Sequence, residues 1–122
     1  MNYTYLLFSL LLCSCYSIER DCTSFKTGKF ESSILIDGKT FVSEFSRTKN
    51  IQIEYFNSKT DTASVRWIND CEMIFKTIRP KNLAEQKDVH VKILTTTKNS
   101  YKFEYGYVGD TNKQLGNATR ID

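Results

Sequence analysis

From Phe25 onward, apolar side chains recur at every second position, in short runs separated by clusters of Gly, Asn, Asp and Ser. A period of two places successive side chains on opposite faces of an extended chain, so the pattern predicts half-buried β-strands. Gly28, Phe30, Ser32, Ile34 and Ile36 share one face of the first strand. Asp37-Gly38 follows as a hairpin turn, because this pair accepts the positive φ that tight hairpins demand. Phe41, Ser43 and Phe45 carry a second strand to a turn at Thr48-Lys49-Asn50. Ile51, Ile53 and Tyr55 then alternate with Gln52 and Glu54, which predicts a strand with its isoleucines and tyrosine towards the core. A loop is expected over 57–62. Ala63, Val65 and Trp67 form the next inward set, and Asn69-Asp70 interrupts the pattern before Cys71, Met73 and Phe75, so a bulge is expected there.

The only proline, Pro80, opens a polar stretch through Asp88 with room for one helical turn over 82–86, too short to anchor a domain. Val89, Val91 and Ile93 alternate with His90 and Lys92, and a stripe of Tyr101, Phe103, Tyr105 and Tyr107 follows. A weak last strand over 114–121 has Leu115 and Ile121 as its apolar positions. The pattern amounts to seven or eight strands joined by short turns, without helical periodicity between them. It predicts an all-β domain, an antiparallel up-and-down meander. Such a sheet must curl or close to bury one face and dispose of its edges, as a lipocalin-like open barrel or a small two-sheet sandwich.

The start of the chain reads differently. Leu6 to Leu12 form an apolar run that suits an export signal and is too short to span a bilayer. Leu12-Cys13-Ser14-Cys15 resembles a bacterial lipobox, which makes Cys15 the lipidated residue after cleavage ahead of it. At about 0.8 kcal/mol per buried CH₂, two or three acyl chains would hold the domain on a membrane. The expected organisation is an export signal of lipoprotein type over 1–14, a tether carrying the first cysteine over 15–24, and a single β domain over 25–122. The expected location is the periplasm or the outer membrane. The alternative is ordinary cleavage near Ser14 or Ser17, which releases a soluble secreted form.

With 122 residues, 40% of them hydrophobic and 13% aromatic, the chain suits one packed domain and is too apolar for a disordered one. A net charge of +3 is too slight to argue for a nucleic-acid partner. Of the four cysteines, the leader accounts for Cys13 and Cys15, leaving Cys22 and Cys71. In an oxidising compartment two such thiols are best read as a disulfide, since a metal site or redox pair would call for close Cys-x-x-Cys spacing or histidine partners. A bridge closing so long a loop contributes roughly 4 kcal/mol.

Two short motifs, Cys22-x-x-Phe25-x-x-Gly28-x-Phe30 and Trp67-x-x-x-Cys71, resemble those of an uncharacterised family of short exported proteins from Bacteroidota. The resemblance implies a small antiparallel β domain behind a signal or lipoprotein leader, with Cys22 and Cys71 as its paired cysteines. The segment Phe25-x-x-Gly28-x-Phe30 is also similar, by analogy, to the lipocalin Gly-x-Trp corner, with Phe30 in place of the tryptophan.

Candidate chemistry is sparse. The single histidine, His90, is expected on the polar side of its strand, and Glu44, Glu54, Glu72 and Glu104 opposite the apolar positions of theirs, facing water. No catalytic dyad, metal-ligand spacing or phosphate-binding loop is present in the sequence, so neither an enzyme nor a cofactor is expected. The sharpest feature is the aromatic stripe. It reads first as ordinary core packing, since aromatic residues are good strand formers, and second as a cavity wall with apolar rings and wet tips, because buried tyrosine hydroxyls need partners. Tyr101, Phe103, Tyr105, Tyr107 and Trp67 are therefore the candidate ligand-binding residues, and a carrier would also use Phe41, Phe45 and Phe75. The sequence points first to a non-enzymatic, membrane-anchored β domain that binds an envelope protein or serves structurally. A lipocalin-like carrier of a small apolar ligand is the alternative.

Overall fold

A computed structural model describes residues 20–122; the expected signal and Cys15 lie outside the described residues. A 3-10 turn (Thr23–Phe25) precedes eight strands: β1 (Gly28–Ile36), β2 (Lys39–Arg47), β3 (Ile51–Phe56), β4 (Lys59–Asn69), β5 (Glu72–Thr77), β6 (Val89–Thr96), β7 (Ser100–Tyr107) and β8 (Gln114–Arg120). Each strand pairs antiparallel with the next, and β8 returns to β1, so the meander closes into a barrel. Closure answers the problem of free edges more completely than the open barrel or the sandwich. The interruption expected near Asn69 is a register shift between Trp67 and Asn69.

The inward face is continuous around the barrel. In register, Phe30 faces Phe45, Phe45 faces Glu54, Gln52 faces Ala63, Val65 faces Phe75, Met73 faces Val91, Ile93 faces Phe103 and Tyr101 faces Ala118. This continuity overturns two expectations. On β3 the inward residues are Gln52 and Glu54, while Ile51 and Tyr55 are exposed on the outer surface. The pleat phase of β3 is dictated by Phe45 on one side and Ala63 on the other, and a strand of six residues follows its neighbours against its own hydrophobicity. On β8 the inward residues are Gly116 and Ala118, both buried, and Leu115 points outward at 61% exposure. Ile121 lies beyond the strand and is exposed. Small residues are needed there because a Cβ on Gly116 would lie 2.5 Å from the tip of the Phe103 ring.

Two loop readings also change. Residues 57–62 shrink to a tight turn at Asn57 and Ser58, both with positive φ, and β4 begins at Lys59. The polar stretch at 82–86 forms hydrogen-bonded turns in place of a helix, with the Glu85 amide donating to Asn82 Oδ1 at 2.8 Å.

One end of the barrel is plugged. The 3-10 turn lays Phe25 against Tyr101 at 5.1 Å and Phe30 at 6.2 Å between ring centroids. Cys22 bonds Cys71 and fastens this turn to the β4–β5 connection. Arg120, at the end of β8, spreads over the Phe25 and Phe30 rings and donates to the carbonyls of Ser24 and Thr27. Gly28 holds a φ of +134° directly beneath that guanidinium, where a side chain has neither the backbone freedom nor the room. The opposite end carries the β1–β2, β3–β4, β5–β6 and β7–β8 connections and has no such plug among the described residues.

Candidate functional site

Between the plug and the open end the barrel holds a cavity of about 330 Å³. Its walls are Ile34, Phe45, Ala63, Met73, Phe75, Val89, Val91, Phe103 and Tyr105, and its polar residues are Ser32, Arg47, Gln52, Glu54, Asp61, Thr62, Thr77 and Tyr101. The volume falls at the small end of ligand pockets, which run from ~300 to ~1,000 Å³ and combine apolar walls with a few convergent polar groups.

Arg47 forms the floor. It ends β2 in phase with Phe45, so its side chain points inward, and it is 2% exposed. Nη2 donates to the Tyr101 hydroxyl at 2.6 Å and Nη1 to Met73 Sδ at 3.3 Å. Its Cζ lies 5.1 Å from the Phe45 ring centroid, 5.3 Å from Phe30, 5.6 Å from Trp67 and 5.9 Å from Tyr101. This aromatic cage favours a cation through the ring quadrupoles. Burial lowers the guanidinium pKa from its ordinary range and raises the Tyr101 phenol above its ordinary 10.0, so the phenol accepts as a neutral group and supplies no counter-charge. The ion pairs among the described residues join Lys26 to Asp70 and Arg120 to Asp122, His90 hydrogen-bonds Glu72, and none of these reaches Arg47. Arg47 Nε is buried with no hydrogen-bond partner, as are Gln52 Oε1 and Trp67 Nε1. Gln52 is the direct cross-strand partner of Arg47.

A second polar group stands nearer the open end. Glu54 and Asp61 face each other across β3 and β4 and both line the cavity. Burial, and secondarily the Asp61 charge, push the Glu54 carboxyl above its ordinary 4.5. Tyr105 is raised above 10.0 by burial and then by Glu54. Asp61, Thr62 and Thr77 also line an adjoining recess with Arg79 and Lys81.

Of the residues expected to bind a ligand, Tyr101, Phe103 and Tyr105 line the cavity. Tyr107 is exposed at the rim, and Trp67 packs beside the core as part of the Arg47 cage. Phe45 and Phe75 line the cavity as a carrier would require, whereas Phe41 is exposed. His90 lies on the barrel exterior, half-buried, with Nε2 2.9 Å from Glu72 Oε1. Glu54 is the exception among the acids expected to face water: β3 turns it inward. Arg47, Gln52 and Asp61 escaped the sequence reading. Arg47 was nevertheless visible, since it continues the even spacing of Phe41, Ser43 and Phe45.

Compared with family models, curated proteins and solved structures, the chain matches none.

Proposed function

We propose that this protein is a non-enzymatic, exported carrier that holds one small amphipathic molecule inside its barrel. The observation that carries this reading is the cavity of about 330 Å³, which couples aromatic and aliphatic walls to buried polar atoms without protein partners. A barrel serving only as a structural element gains most by filling its interior to crystal-like density and pairing every buried polar atom. Here both conditions are relaxed in the same place. Of the two readings the sequence left open, carriage of a ligand is favoured over a surface role on that ground.

The export signal read over 1–14 and the Cys22–Cys71 bridge both suit an oxidising compartment outside the cytoplasm. Anchoring through a lipid on Cys15 is part of the same proposal, and places the carrier at a membrane of the cell envelope. Native mass spectrometry of the oxidised domain from Ser17 onward, secreted and purified without detergent, tests the central point. A stoichiometric adduct that organic solvent removes is the expected result. A bare, oxidised mass, with no uptake of added amphiphiles, would return the search to envelope proteins that dock on the barrel surface.

A further inference from the structure

The ligand's polar group can be read from the charge that the barrel leaves unanswered. Arg47 is a buried cation with no carboxylate paired to it among the described residues, and its Nε–H has no acceptor. Leaving such a donor unmet is costly, the more so on a charged group. The rings around it soften the cost and the Tyr101 hydroxyl accepts from Nη2, but none of them meets the Nε–H. Gln52, its partner in register, adds a second hydrogen-bonding group at the same level. At the other end, Glu54 and Asp61 repel an anion from the upper cavity, and the cations on that side, Arg79 and Lys81, line the adjoining recess.

We infer that the cavity takes a small amphipathic monocarboxylate, its head group on Arg47 and Gln52 and its apolar body along Phe45, Phe75 and Phe103. A single buried cation balances a single negative charge, which selects a monoanion over a dianionic phosphate ester. This inference rests on the carrier reading and adds the head-group chemistry to it.

The test is a head-group series on the full, exported and oxidised chain. Octanoate, 1-octanol and octylammonium are titrated separately near neutral pH, read by calorimetry and by the fluorescence of Trp67. This single tryptophan lies 5.6 Å from the Arg47 guanidinium and so reports on the floor. Octanoate is expected to bind about tenfold to a hundredfold more tightly than either analogue, the range of a charge-assisted hydrogen bond. In Arg47→Met that preference is expected to vanish while octanol still binds. The wild-type series decides the question even if this variant fails to fold. Equal or tighter binding of octanol or octylammonium overturns the monocarboxylate assignment and leaves the carrier reading standing. Binding of none of the three overturns both.

Discussion

Glu54 and Asp61 are direct cross-strand partners on the inner face of the barrel, two carboxylates with no ion-pairing cation among the described residues. Burial, then the charge of Asp61, raises the Glu54 pKa in the folded state above 4.5. At low pH both folded and unfolded chains carry this proton. As pH rises, the unfolded chain releases it first, so folding stability falls through the interval up to the folded pKa and stays lower beyond it. Glu54→Gln is therefore expected to be more stable than the parent protein near neutrality, with the gap closing below about pH 4. Urea denaturation at both pH values measures it. A gap independent of pH would mean that ionisation of Glu54 is not its source.

The disulfide spans 49 residues of sequence. Replacing both cysteines by serine is expected to cost about 4 kcal/mol, mainly by freeing the unfolded chain. The check is the denaturation midpoint of the double variant against the oxidised parent, with the slope compared for a change in the unfolded state. A loss under about 1 kcal/mol would show that packing of Phe25 holds the plug by itself.

Phe30 and Tyr105 are both inward aromatics and should respond differently. Phe30 is 0% exposed and stacks on Phe45 with centroids 5.0 Å apart, so Phe30→Ala is expected to cost about 3 to 5 kcal/mol. Tyr105 borders open space, and Tyr105→Ala should cost less than about 2 kcal/mol while sharply weakening ligand uptake. Paired stability and binding measurements separate the two. Equal stability losses would place Tyr105 in a filled core.

Gly116 sits under the Phe103 ring with no room for a methyl group. Gly116→Ala is expected to force that ring toward the cavity at a cost of about 1 to 3 kcal/mol, and to lower ligand capacity with it. A variant of unchanged stability and binding would show that the ring has another rotamer to move into.

Much of this architecture was legible in the sequence, and the exceptions cluster at the cavity. Alternation located every strand, and the cysteine count paired Cys22 with Cys71. The phase of β3 was misread because Ile51, Ile53 and Tyr55 carry a strong apolar signal of their own. Which face of a strand turns inward depends on its neighbours' pleats, and no single segment encodes that. Leu115 misled in the same way, since buried Gly116 and Ala118 give no apolar signal of comparable size. Arg47 gives no apolar signal, and an arginine in phase with phenylalanines breaks the pattern that marks an inward face. The inward Arg47, Gln52 and Glu54 each depart from the local pattern, and all three border the same space.

The bond between Cys22 and Cys71 also has a bearing on timing. Phe25, three residues beyond Cys22, underlies Phe30 and Tyr101, and these two rings help to enclose Arg47. Before oxidation, side-chain packing and a few hydrogen bonds alone hold that bottom layer in place. In an oxidising compartment the bond adds a covalent fastening to that layer, so the order of the rings beneath Arg47 is tied to the redox state of two cysteines remote in sequence.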